Sequence, residues 1–356
     1  MLLLTSSVAI AQSNVTLYGV VDGAVSVTKA KGQAARVGFD NGIWAGSRFG
    51  IKGEEDLGSG NSIGFILEQG FKTFNGENAY KNKAFGRESL LRVRGNWGEV
   101  AAGRMGGLSS DCGSYSILHG SSLWTSYYSN GNIYGAFDLS TRMDNVLTYK
   151  TPNLNGSSVT LMYSNGYDGD ENKWSKNSHY YGLGYEYAQG PALFSAIWEH
   201  YDNKEADTKS SDLFTIGGSY DFNFATLYGA YQYAHRAQQM PGDGLTGTET
   251  FVPGKENSWG LGKNGANQHA VSLSIGFPVM SGTLKFQSNY VIGKIKDLVA
   301  QQNKYQFWSV ATAYEYPISK RTLMYAYAGY GSGSKIMKDL SSYNSWTTSI
   351  GLSHNF

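Results

Sequence analysis

The chain has 356 residues, with 46 Gly, 26 Tyr, only 6 Pro and a single Cys, and its net charge is +1. So even a balance points to neither nucleic acid nor an acidic partner. No apolar run reaches the ~20 residues of a membrane-spanning helix, and a chain this rich in Gly and Tyr and poor in helix formers indicates an all-β protein.

The chain opens on MLLLTSSVAIAQSN, an apolar run ending in Ala9-Ile10-Ala11. That is the h-region and small-x-small cleavage pattern of a secretory signal, with the positive n-region missing. Residues 1–11 are therefore expected to be a signal-peptide remnant, with the mature chain starting near Gln12; an ordinary buried strand is the alternative. Cys112, being alone, cannot form an internal disulfide.

Beyond the signal, apolar and polar residues alternate with period 2, the mark of strands with two different faces. In 270–277, Val271, Leu273, Ile275 and Phe277 alternate with Ser272, Ser274 and Gly276. Strands are expected near 14–28, 43–57, 61–74, 84–96, 99–105, 142–151, 156–167, 178–188, 191–202, 211–222, 224–236, 264–277, 282–294, 305–316, 320–331 and 344–356. The joints between them alternate strictly between short and long. Gly58-Ser59-Gly60, Asn96-Trp97-Gly98 and Gln189-Gly190 are short, while 29–42, 75–83, 106–141, 168–177, 203–210, 237–263, 295–304 and 332–343 are long. Pro152, Pro191, Pro278 and Pro317 sit at or beside short turns, where a missing N–H breaks no ladder.

Short ends on one side, long ends on the other and an even strand count describe a bacterial outer-membrane barrel of about 16 strands. Lipid offers backbone groups no water, so the sheet must close. The expectation is a single domain over 12–356: a closed antiparallel transmembrane β-barrel, apolar face to lipid and polar face to an aqueous lumen. Tyr18, Trp44, Trp97 and Trp346, near strand ends, suit interfacial girdles. The joint 106–141 has no period and is too long for a plain turn, and Tyr115, Trp124, Tyr127, Tyr128, Tyr134 and Phe137 argue against disorder. It is expected to fold inward and narrow the pore.

Arginines and lysines on the polar face of neighbouring strands are the chemistry to look for, since rings of charge in a narrow passage select ions by sign. Alternation puts Arg48 and Lys52 opposite Phe49 and Ile51, and Arg92 and Arg94 opposite Leu91 and Val93, hence in the lumen. The competing reading of each is a lumen charge paired with a wall acid such as Glu54 or Glu68. Asp111 and Asp138 are the acids of the long loop. No catalytic triad, HExxH or GxSxG pattern accompanies the six scattered histidines, so an enzyme is not expected, nor any cofactor or metal.

Motifs along the whole chain carry a resemblance. QSNVTLYGVVD (Gln12–Asp22), SRFGIKGEEDLG (Ser47–Gly58), RESLLRVRGNWGEVAAGR (Arg87–Arg104), RMDNVLTYKTP (Arg142–Pro152), SKRT (319–322) and the terminal GLSHNF (Gly351–Phe356) stand in order and spacing. Together they are similar to the trimeric general-diffusion porins of Gram-negative bacteria, the β-proteobacterial branch in particular. The resemblance implies passive diffusion of ions and small hydrophilic solutes across the outer membrane, a homotrimer, and assembly machinery that reads Phe356. It implies that Arg48, Arg104 and Arg142 form the basic side of a constriction. This loop departs from the family's acidic pattern, so the arginines are expected to be less compensated and the pore weakly anion-selective. A substrate-specific channel, for a sugar for example, is the alternative on the same barrel; loop aromatics would then either stack solutes or simply pack the loop. A barrel enzyme is a remoter one.

Overall fold

The computed structural model describes residues 14–110, 112–118, 136–167, 174–204, 208–237, 261, 263–298, 303–338 and 343–356. The expected signal segment lies outside them. Seventeen strands form one antiparallel sheet: β1 (Asn14–Ala30), β2 (Arg36–Asn41), β3 (Arg48–Gly58), β4 (Asn61–Gly70), β5 (Glu88–Gly95), β6 (Gly98–Gly106), β7 (Arg142–Lys150), β8 (Ser157–Asn165), β9 (His179–Gln189), β10 (Ala192–Asp202), β11 (Ser211–Asp221), β12 (Thr226–Ala237), β13 (Ala266–Val279), β14 (Gly282–Ile295), β15 (Lys304–Pro317), β16 (Thr322–Lys335) and β17 (Ser345–Asn355). Apart from β2 and β3, which both pair with β1, each strand pairs with the next in the chain, and β17 returns to β1, so the sheet closes on itself.

The added strand relative to the sequence reading is β2, which falls inside the long joint expected at 29–42. It does not add a stave. The far half of β1 pairs with β2 and its near half with β3, so β2 and β3 together are one interrupted stave and the barrel has 16. The interruption at 42–47 is bridged by side chains: Ser47 Oγ donates to the Asp22 carbonyl oxygen at 3.1 Å, and Thr73 Oγ1 donates to the same oxygen at 2.6 Å.

Alternation then sorts the faces. Val15, Leu17, Phe49, Leu91, Leu161 and Ile350 stand exposed on the outside, as a lipid-facing surface requires. Their neighbours Tyr18, Ser26, Ser272, Gln287 and Ser309 face inward. At the closing seam Ser26 and Ser349 hydroxyls meet at 2.7 Å, Tyr325 donates to Asp22 at 2.9 Å, and Phe356 and Gly19 exchange two backbone hydrogen bonds of 3.1 Å. Gly19 is required there, since a Cβ would collide with the Phe356 ring.

Two of the expected girdle residues belong elsewhere. Tyr18 points into the lumen and donates to Glu68 at 3.0 Å, and Trp44 packs with the inward-facing Ala24, Tyr325 and Tyr327. Proximity to a strand end does not set the face; the parity of the strand does. Trp97 and Trp346 are exposed, in keeping with a girdle.

Candidate constriction site

The described residues of the long segment between β6 and β7, at 107–110, 112–118 and 136–141, lie inside the barrel. Among them the apolar residues Leu108, Tyr115, Ile117, Leu118, Phe137 and Leu139 are all at most 3 % exposed. They join the inward-facing Ile66, Leu90, Met162, Tyr180, Ile197 and Phe307 in one hydrophobic cluster. A loop with this much apolar surface gains by folding onto the wall, at roughly 25 cal/mol per Å² removed from water. The turn into the lumen is tight: a Cβ on Gly106 would overlap the Cys112 carbonyl. Tyr115 and Phe137 are spent on packing, so the described aromatics offer solutes no stacking track. Trp124, Tyr127, Tyr128 and Tyr134 lie outside the described residues.

Buried hydrogen bonds fasten the loop to the far wall. Gln232 on β12 clasps one residue with both ends of its amide, accepting from the Asp138 N–H at 2.7 Å and donating to the Asp138 carbonyl oxygen at 2.8 Å. Gln268 on β13 donates to the Ala136 carbonyl oxygen at 3.2 Å and is itself held by Tyr305 of β15 at 2.8 Å. Glu199 on β10 is wholly buried and accepts from Tyr180 Oη at 2.7 Å and from the Ser109 N–H at 3.2 Å. None of these anchors was singled out from sequence. Their signal was present: each is a hydrogen-bonding side chain on the inward parity of a strand whose inward neighbours are small or apolar.

The near wall, β3 to β6, is charged. Five cations, Arg48, Lys52, Arg87, Arg92 and Arg94, stand among five carboxylates, Glu54, Asp56, Glu68, Glu88 and Glu99. Glu68 pairs with Arg87 at 2.5 Å and with Arg48 at 3.6 Å. Glu54 pairs with Arg92 at 3.0 Å and Arg94 at 3.4 Å, and Arg94 also reaches Glu99 at 2.7 Å. Lys52 makes no ion pair among the described residues and lies 5.1 Å from the centre of the Tyr18 ring. The loop adds its own contacts: Ser114 gives Glu88 two hydrogen bonds, from N–H at 2.8 Å and Oγ at 2.9 Å, and Tyr115 donates to Glu99. Burial, then the Glu99 hydrogen bond, holds the Tyr115 phenol well above its ordinary pKa, so it stays a donor.

The three arginines matched through the family resemblance fall into two sets. Arg48 belongs to the charged wall. Arg104 stands opposite Ser89, on the parity that carries Leu91 and Ala102 outward, beside a bulge between Gly103 and Met105. It donates to the Gly86 carbonyl oxygen at 2.8 Å and pairs at 2.6 Å with Asp144, which Lys83 also reaches at 2.7 Å. Arg142 donates to Tyr80 Oη, and the Tyr80 ring lies 5.7 Å from the Arg104 guanidinium and 5.5 Å from that of Arg142. Both therefore brace the segment joining β4 to β5. Of the loop acids, Asp138 is held on the far wall, and Asp111 lies outside the described residues. On the wall itself, Glu54, Glu68 and Glu99 pair with its arginines.

Comparison with known proteins agrees along the whole chain. Residues 1–335 match the family described as Gram-negative porin. An outer membrane porin protein of Bordetella pertussis is 28 % identical over 97 % of this chain and 95 % of its own. Outer membrane porin protein 32 of Delftia acidovorans is 29 % identical over 91 % of this chain and 85 % of its own. Among solved structures, the anion-selective porin from Comamonas acidovorans superposes with a TM-score of 0.72, at 23 % identity, over 97 % of this chain and 100 % of that one.

Proposed function

The chain belongs to the Gram-negative porins, and from that premise we propose how its pore is narrowed and which ions it favours. It is an outer-membrane channel for passive diffusion of ions and small hydrophilic solutes. The eyelet is the gap between the charged wall and the infolded loop 106–141, with Arg48, Lys52, Arg92 and Arg94 as its basic groups. Arg104 and Arg142 act one step back, by holding the neighbouring loop segment. The observation that carries this is the loop itself, fastened across the lumen by Glu199, Gln232 and Gln268 while Ser114 and Tyr115 contact the charged wall.

Weak anion preference is read from Lys52, which stands outside the ion pairs among the described residues while the wall's arginines are partnered by its carboxylates. The relative from Comamonas acidovorans, named anion-selective, supports the same sign. Reversal potential in a salt gradient across a planar bilayer tests it, and clear cation selectivity would sink it. The resemblance also implies a homotrimer and recognition of Phe356 by the assembly machinery. Conductance steps grouped in threes check the first. A Phe356→Ala variant that assembles in cells as well as the parent would remove the second.

A further inference from the structure

Lys294 on β14 and Lys304 on β15 stand directly opposite each other in the register. Both face outward. In β14 they share parity with the exposed Ile292 and Tyr290, and in β15 with the exposed Trp308, while Ile295, Tyr305 and Phe307 point inward and are buried. Like charges on a directly opposed pair repel, yet neither lysine has an ion pair among the described residues. Cations also stand beyond the neighbouring strand. Asn267 of β13 is the other register partner of Lys294, and it accepts from the Arg236 N–H at 3.2 Å. Arg236, His235 and Lys296 interact electrostatically with one another at this same long-joint end. Two acids lie at this end: Asp212, the register partner of His235, acts on it and pairs with His200 at 2.9 Å, and Asp297 takes the Asn264 N–H at 3.0 Å.

Below this row, toward the middle of the membrane, the same surface is apolar and aromatic except for Gln306, which lies opposite Ile292 and donates to Tyr290 Oη at 2.8 Å. Ile292 lies one outward position down, and Tyr290 and Trp308 two, or about 13 Å along the strand. Cations above an aromatic and aliphatic strip match a lipid with a negative headgroup and acyl chains, and cations near such a surface gain from anionic lipid. We propose that Lys294 and Lys304, flanked by Arg236 and Lys296, bind the phosphate of an anionic lipid in the leaflet at the long-joint end. Its chains lie along Ile292, Tyr290 and Trp308. The site is on the outside of the barrel and independent of the pore.

The test uses the full chain folded in neutral detergent, with native mass spectrometry as the readout. The probes are short-chain phosphatidic acid, short-chain phosphatidylcholine and inorganic phosphate. The parent retains phosphatidic acid in preference to the other two. Retention falls roughly fivefold in Lys304→Gln and about 30-fold in Lys294→Gln/Lys304→Gln, while Lys320→Gln in a short turn leaves it unchanged and Lys294→Arg preserves it. Single-channel conductance stays at the parent value throughout, which separates this inference from the pore reading. Equal retention by the double variant, phosphatidylcholine held as well as phosphatidic acid, or inorganic phosphate bound as tightly as the lipid would each overturn it. Where the double variant does not fold, Lys304→Gln alone decides.

Discussion

The two sides of the lumen hold the same loop by different chemistry. On β3 to β6 the inner face is guanidinium and carboxylate, interleaved closely enough that Glu54 and Glu68 each serve two arginines. On β12 to β15, about halfway round the ring, the part that meets the loop is amide and hydroxyl: Gln232 and Gln268 on the loop and Tyr305 behind Gln268, with Ser272, Gln287, Asn289 and Ser309 beside them and a single Lys285–Glu315 ion pair toward the short turns. In the proposed eyelet, charge that salt can screen stands on one wall, while the amide and hydroxyl contacts opposite do not loosen with ionic strength, so position and selectivity of the constriction should be separable.

The largest way to break that division is to empty the packing under the loop. Leu108→Ala, at a site with no exposure, should cost about 2–5 kcal/mol, read as a lower midpoint of thermal unfolding, with larger and noisier single-channel steps. Next, Glu199→Ala leaves the Tyr180 hydroxyl and the Ser109 N–H without their acceptor, about 1–3 kcal/mol for each stranded donor. Open-channel noise should rise while the sign of selectivity stays; a changed sign would show that the fastening side also sets the field.

On the charged side, Glu68→Gln releases Arg48 and Arg87 from their shared carboxylate, and Arg48→Gln removes a cation. The first should move the reversal potential toward anions and the second toward cations. Each shift should be roughly two- to fivefold in permeability ratio at low salt, shrinking toward 1 M salt as the Debye length falls to about 3 Å. The smallest effect is expected from Tyr80→Ala. Loss of its contacts with Arg104 and Arg142 should cost about 1 kcal/mol and leave the reversal potential in place. A shift as large as that of Arg48→Gln would return those two arginines to the eyelet.

Much of this architecture is local in origin. Alternation is carried by neighbours two apart, so fifteen of the sixteen staves could be read as continuous strands along the chain, with ends mostly within a few residues, and the long–short rhythm of the joints set the barrel. The remaining stave, in two pieces, could not: the six residues of β2 are outnumbered by irregular ones around them, and only pairing with the far half of β1 makes them a strand. The lumen faces of Arg48, Lys52, Arg92 and Arg94 were legible for the same reason, since parity survives as long as the ladder is regular.

Parity fails where the ladder does. Arg104 follows Ala102 outward by plain alternation, whereas the bulge between Gly103 and Met105, opposite Asp144 and Asn145, shifts the alternation of β7 so that Met143 and not Arg142 continues the inward row from Val146, and nothing in RMDNVLTYKTP announces it. Nor does composition say what a long loop will touch. Glu199, Gln232 and Gln268 are 90 or more residues from the loop positions they hold, and a hydrogen bond across that separation exists only once the sheet has closed. The chain alone therefore settled the barrel, its two faces and the loop that must turn inward. Closure of the sheet decided which charges meet, because distance in space between inward residues is a property of the ring and of no single strand.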